Sequence, residues 1–388
     1  MNVYILNSKI NATYADGIIL HEKDFHPCVP FFIRHPEIQP ETIQRIYVRG
    51  IFEQHPYIRT VLKYCDYMLA KGGILEIDFF NRYFDGRGIG IRARNDWQYE
   101  LSMVFKDRVS LVKQDKGLNG KFVYKKNACF LPVDDSIEKW TFGIVSDGRK
   151  NERILQIIDR INSFGIPQYE ILICGPAPSA TRLDNVRVLS DAHLYSDLRI
   201  PISKKKNLII QEAKYNNLII MHDRIIPSKD WYANMLKYGN YWDCLSCRII
   251  NEENHALRMA DWQETNSKPP RPKILDIFFT KERTLNYDEW SPDIYIAGGF
   301  FQIKKHLGIK LAPYLYWGEK EDVDMSVRAY NDGVLFTFYP DNVLYSQCVR
   351  FKGSSMKSSF FHVIRCKLGA LKRFVIDCKD LARYLKTQ

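Results

Sequence analysis

No apolar stretch in the sequence reaches the roughly 18 residues that a membrane-crossing helix needs. The opening MNVYILNSK has no basic region followed by an apolar core, so no secretory signal is expected. Nine cysteines scattered over 388 residues do not make a disulfide framework and fit a reducing compartment. Cys244 and Cys247 form a lone CxxC; a zinc centre wants a second pair at ligand spacing and none follows, so both are expected as buried strand residues. Internal repeats and low-complexity tracts are absent, which excludes solenoids and linker-rich architectures. Negative charge is in deficit, with 45 acidic residues against 56 basic ones and a net charge of +11. Such an excess suits a phosphate-bearing substrate, an anionic membrane or a nucleic acid. No basic–aromatic motif of a nucleic-acid module appears, so nucleic acid is not an expected partner. The expected location is the cytoplasm, with a peripheral place at the inner face of the membrane open to the basic C-terminal region.

What is present is a globular composition, 46% hydrophobic and 26% charged, long enough for two cores. Strand-like runs alternate with helical ones, which predicts an α/β class with mainly parallel strands. Residues 1–128 make the first block. VYIL reads as a strand, and IQRIYVRG from Ile43 as another. Tyr57, Val61, Leu62, Cys65 and Leu69 have helical spacing, Lys71-Gly72-Gly73 reads as a turn, and ILEIDFF as a buried strand. A helix over Trp97–Val104 and a closing hairpin from 108–113 and 121–124 complete it. The helix, KGG turn and apolar strand resemble the second half of class I S-adenosylmethionine-dependent methyltransferases. The cofactor half departs from that family. Asn7-Ser8-Lys9-Ile10 follows the first strand without the glycine that lets backbone approach the cofactor. The acidic residue for the ribose falls near Glu22 or Asp24. A degenerate domain that does not bind S-adenosylmethionine is therefore expected.

The second block spans residues 139–350, after the linker Pro132-Val133-Asp134-Asp135. TFGIV is a strand ending in Ser146-Asp147-Gly148, and Asn151–Ser163 an amphipathic helix. YEILIC is a second strand, and residues 185–189 a third with Asp191 beyond it. The run Lys204-Lys205-Lys206-Asn207 opens a helix, and NLIIM is a fourth strand running into His222-Asp223-Arg224. Ile296-Ala297-Gly298-Gly299-Phe300-Phe301 reads as a small-residue strand. Trp317-Gly318-Glu319-Lys320-Glu321-Asp322-Val323-Asp324 precedes a helix closed by a glycine. This β-α-β-α order predicts a doubly wound, nucleotide-binding half with its ligand at the carboxyl ends of the strands.

Together, these motifs over about residues 139–345 resemble GT-A glycosyltransferases, close to the family 2 type. The fold class expected for the chain is thus two Rossmann-like domains, methyltransferase-like and GT-A. The resemblance implies transfer of a sugar from a nucleotide-sugar donor to a hydroxyl of a glycan or lipid-linked acceptor, with inversion, in surface-polysaccharide synthesis. It implies that Asp322, with Glu321 second, is the general base. It puts Asp147, Asp191, Lys206, Asn207 and Arg224 around the donor, Gly298 and Gly299 beneath its sugar, and Trp317 as a platform. Asp223 stands where that family holds Mn²⁺ or Mg²⁺, but only one carboxylate is present. Either Asp223 holds the cation with water and phosphate, or Arg224 supplies the positive charge itself. Turn capping explains Asp147 and Asp191 equally well, and helix-terminal charge explains one or two carboxylates of the run after Trp317-Gly318 but not all four. The alternatives are a methyltransferase, alone or bifunctional, acting on the same glycan, and a non-catalytic glycan-binding scaffold. The tail, 351–388, mixes Phe360, Phe361, Leu368 and Phe374 with Lys357, Arg365 and Lys372. It is expected either as a basic amphipathic helix on an anionic membrane or as a helix packed across the two blocks.

Overall fold

The computed structural model describes residues 1–7, 10, 14, 16–50, 58–78, 98–115, 120–179, 183–197, 199–265, 282–291 and 293–347. The basic tail 351–388, Ser8 and Lys9 of the first turn, and Trp97 lie outside the described residues. Among the described residues no helix is long and apolar enough to cross a membrane.

The first sheet uses β1 (Asn2–Leu6), β2 (Gly17–His21), β3 (Ile43–Arg49), β4 (Leu69–Asp78), β5 (Val109–Asp115) and β6 (Lys121–Lys126), in the order β2-β1-β3-β4-β6-β5. The first four are parallel, and β6 and β5 close the sheet as an antiparallel hairpin. Beyond the irregularity between Ile43 and Arg45, period-two alternation sets its orientation: Ile46 and Val48 are fully buried while Arg45 is exposed. The helices between are α1 (Phe31–Arg34), α2 (Ile58–Met68) and α3 (98–105). The Lys71-Gly72-Gly73 triplet is not a turn. It lies inside β4, which starts directly after α2, and the pairing jumps from Ile43↔Leu69 to Arg45↔Ile74. The extra residues bulge out, with Gly72 at φ +86°, a left-handed conformation that suits glycine. Asp24 accepts from the His21 backbone N–H at 2.8 Å and pairs with Arg34 at 3.6 Å, so it serves the local chain turn.

The second sheet contains β7 (Lys139–Val145), β8 (Gln168–Cys174), β9 (Val186–Leu189), β10 (Asn217–His222), β11 (Ile225–Pro227) and β12 (Cys244–Asn251). A small separate sheet holds β13 (Trp262–Thr265), β14 (Glu282–Thr284) and β15 (Ile294–Ile296). Then β16 (Phe300–Lys304) and β17 (Phe336–Ser346) return to the main sheet, whose order is β11-β17-β12-β16-β10-β7-β8-β9. β9, β8, β7 and β10 are parallel, and β16 runs antiparallel between β10 and β12. Helix α4 (Asn151–Asn162) covers one face through Ile154, Ile157, Ile158 and Ile161, joined by α6 (Trp231–Tyr238). Helix α5 (Ile202–Glu212) covers the other face through Ile209 and Ile210. It comes so close that a Cβ on Gly143 would meet the Ile209 side chain at 2.3 Å. Helix α7 (Glu321–Asn331) packs against β15, and Gly333 follows its C-cap at φ +84°, as the sequence pattern predicts. Cys244 and Cys247 are buried on β12.

The two sheets share a polar seam. Helix α2 is buried on nearly every side because its polar residues cross to the second half. Asp243, fully buried, pairs with Lys63 at 2.5 Å and accepts from Tyr67 Oη at 2.7 Å and from the Leu335 backbone N–H at 2.8 Å. Arg59 binds Glu100 at 2.6 Å, donates to the Tyr330 carbonyl, and lies 3.5 Å from the Tyr330 ring centroid. Leu335 belongs to the first core. Within 132–135, Pro132, Val133 and Asp134 are exposed, and the Asp135 side chain is buried against Lys304 at 3.0 Å.

Candidate active site

Strand order locates the site. The chain moves outward from β7 to β8 and β9, then returns to lay β10 on the other side of β7. At such a reversal the connections leave in opposite directions and open a crevice at the carboxyl ends of the two strands. β7 delivers Ser146-Asp147-Gly148 there and β10 delivers His222-Asp223-Arg224, with His222 paired to Val145 in the ladder. The Asp147 backbone N–H donates to Asp223 Oδ2 at 3.4 Å. Burial, and after it the neighbouring Asp147 carboxylate, raises the Asp223 carboxyl above its ordinary value.

Two cavities meet at these strand ends. One, of about 240 Å³, is lined by Ser146, Asp147, Arg149, His222, Asp223, Arg224 and Trp317. The other, of about 370 Å³, is lined by Gly298, Gly299, Gln263, Tyr295, Ser346, Lys320, Glu321 and Asp322. His222, Arg224 and Trp317 line both. Trp317 is 46% exposed, with its ring 5.0 Å from the His222 ring and 5.0 Å from the Arg224 guanidinium carbon. A larger open groove of about 610 Å³ between α4 and β11 holds none of the residues marked by the sequence.

The acidic start of α7 enters the second cavity. Asp322 accepts from the Gly298 backbone N–H at 2.9 Å through Oδ2 and from Val323 at 2.9 Å through Oδ1. Each oxygen keeps a further acceptor position. Glu321 is buried and bound to Lys206 at 3.1 Å. Lys320, before the helix, sits at φ +61°, a strained conformation for a side chain of this size.

Several expected residues take other places. Helix α5 begins at Ile202, so the lysines are not at an open N-terminus. Lys206, fully buried, braces the Gly298 carbonyl at 2.9 Å as well as Glu321. Lys205 binds the Ser146 carbonyl at 2.9 Å and Asp191 at 2.6 Å, which holds Asp191 outside both cavities. Asn207 binds both backbone groups of Leu311 at 2.8 Å and is structural. Gly298 and Gly299 form the turn between β15 and β16 rather than a strand. A Cβ on Gly298 would lie 2.9 Å from Lys206 Nζ and 3.1 Å from Glu321 Oε1, so a side chain there would press on the Lys206–Glu321 pair. Gln263, Tyr295 and Ser346 carry no sequence signal, because chain segments far from the motifs deliver them.

His222 was also not marked. Its Nδ1 lies 3.0 Å from Arg224 Nη2, and a guanidinium only donates. Nδ1 therefore carries the lone pair and Nε2 the proton. Burial first, then Lys206 and Arg224, hold the ring far below the ordinary imidazole value. This bears on a divalent cation at Asp223. The His222 lone pair is engaged by Arg224, one Asp147 oxygen pairs with Arg149 at 3.4 Å, and the positive charges of Arg224 and Lys150 act on Asp223. Among the described residues no group of three or more His, Cys, Asp or Glu side chains is arranged to hold a metal ion. The residues fit a bound cation poorly.

No protein-family model and no curated protein matches the chain. Among solved structures, S. aureus TarS 1–349 is similar at 11% identity and a TM-score of 0.36, over 54% of this chain and 60% of that one. The same fragment in complex with UDP-GlcNAc is similar at 11% identity and 0.36, over 57% and 61%. The mannosyltransferase PcManGT from Pyrobaculum calidifontis, in complex with GDP-Man and Mn²⁺, is similar at 13% identity and 0.37, over 59% and 63%. The chain thus covers less than two thirds of each. Likeness at this level fixes neither activity nor substrate.

Proposed function

We propose that this chain is a nucleotide-sugar-dependent glycosyltransferase of GT-A type, acting with inversion on a hydroxyl of a glycan or lipid-linked acceptor in surface-polysaccharide synthesis. One observation carries the reading. The crevice at the reversal between β7 and β10 opens through His222, Arg224 and Trp317 into a second cavity edged by Asp322. A nucleotide in the first cavity, near Asp147, puts its diphosphate beside Arg224 and its sugar over the Gly298-Gly299 turn. The Trp317 face is an apolar platform for that sugar or the acceptor. Asp322 takes the proton of the acceptor hydroxyl as its oxygen bonds to the anomeric carbon. The bond from that carbon to the phosphate oxygen breaks, and its electron pair leaves with the nucleoside diphosphate. Lys206 and Glu321 form the brace that holds the glycine turn and the start of α7 in place.

Residues 1–128 are read as a methyltransferase-like domain without cofactor, and the parallel β1–β4 with their closing hairpin support this. The basic tail is read as a peripheral membrane contact. Thermal-shift screening of UDP, GDP, ADP, CDP and their sugars, followed by assay for released nucleoside diphosphate, tests the central proposal. Stabilisation by one base class is expected; a flat response across the panel removes the reading. Isothermal titration with S-adenosylhomocysteine should give no saturable heat, and micromolar binding would promote the bifunctional enzyme.

A further inference from the structure

We infer that the donor diphosphate is held without a divalent cation, by the Arg224 guanidinium at the junction of the two cavities, with His222 as its positioning residue. The inference rests on the proposed donor site and specifies how its charge is met. A departing nucleoside diphosphate develops negative charge that something positive must balance. The buried lysines are already engaged, Lys206 with Glu321 and Gly298, and Lys205 with Asp191 and Ser146. Arg224 lines both cavities and is preset from two sides, by His222 Nδ1 at 3.0 Å and by the Trp317 face at 5.0 Å. A planar guanidinium fixed in this way meets a phosphate with paired, charge-assisted hydrogen bonds and little reorganisation.

His222 supplies the second, independent observation. Only 6% exposed, it leaves Nε2 without a hydrogen-bond partner. That nitrogen must carry the proton, because Arg224 occupies the other. Nε2 itself is enclosed by the protein, so His222 acts here by holding Arg224 through Nδ1 and by withholding its lone pair from a cation. The position next to Asp223 thus presents an imidazole whose lone pair Arg224 already occupies, where a metal site would present a free one. Asp223, which accepts from the Asp147 N–H, remains to orient the β7 end.

The test is isothermal titration of the full-length chain with the UDP, GDP, ADP and CDP panel, once in EDTA and once in Mn²⁺. The binding nucleotide is expected to keep its affinity in EDTA within about threefold. Arg224→Ala should weaken it roughly 10- to 100-fold in both buffers, and Arg224→Lys should recover part of the loss. His222→Asp, which restores a second carboxylate, should bind poorly in EDTA and regain affinity with Mn²⁺. Circular dichroism melts establish that each variant is folded, and the wild-type comparison of buffers stands without any variant. Binding that needs Mn²⁺ in the wild type overturns the inference and leaves the glycosyltransferase reading intact, as does an unchanged affinity in Arg224→Ala. No nucleotide bound in either buffer overturns the donor site itself, and this inference with it.

Discussion

Asp322 and Glu321 are adjacent in sequence and do different work. Glu321 is neutralised by Lys206 inside the protein, whereas Asp322 faces the second cavity on two backbone N–H donors. Asp322→Asn keeps an acceptor for Gly298 but removes the proton sink. Its turnover should fall roughly 10²–10⁴-fold with nucleotide affinity nearly unchanged. Near wild-type turnover in a steady-state assay would remove Asp322 from the role of base. His222 carries a stability prediction as well. Its folded value is depressed, so below the ordinary imidazole value the unfolded chain binds a proton that the native chain refuses. The unfolded state then holds more protons, and stability falls as pH falls. Urea midpoints should drop progressively as the buffer is taken below about pH 6.5. His222→Asn should flatten that slope, and an unaltered slope would assign it to other groups.

At the scale of elements, two departures from local reading have the same origin. The lysine run on α5 has the composition of an anion-binding helix start, yet the helix begins at Ile202 and packing turns Lys205 and Lys206 inward. The KGG triplet has turn composition, yet β4 pairs with β3 on both sides of it and absorbs it as a bulge. In both cases long-range pairing outweighs a local preference worth at most about 1 kcal/mol per residue. The end of α7 shows local and long-range demands agreeing. Gly333 takes φ +84°, and a Cβ there would sit 2.3 Å from the Met103 carbonyl oxygen on α3. Gly333→Ala should therefore destabilise the protein by about 1–3 kcal/mol, more than an exposed C-cap substitution costs. Chemical denaturation measures it, and a loss of only a few tenths of a kcal/mol would mean that α3 and α7 separate easily.

In the whole molecule the two sheets are joined through Asp243, to which Lys63, Tyr67 and Leu335 all converge. Asp243→Ala leaves the Lys63 ammonium buried without its partner and should cost about 3–5 kcal/mol. The wild type should unfold in one cooperative calorimetric transition, since each half buries its polar seam on the other. Two well-separated transitions would show instead that the halves are thermodynamically independent.

Apolar runs and acidic clusters were readable from the residues alone. NLIIM had to be a buried strand, so His222-Asp223-Arg224 had to lie at its carboxyl end, and the acidic run after Trp317-Gly318 had to begin a helix. Those features depend on periodicity and short-range charge, which neighbouring residues fix. Which side chains meet was not readable. That Lys206 reaches Glu321, that Asp191 is drawn away by Lys205, and that Gln263 and Tyr295 border the second cavity depend on strand order and register across the whole sheet. The proton on His222 is decided at this level as well, because the turn after β10 brings Arg224 back onto Nδ1, and only that contact leaves Nε2 as the donor.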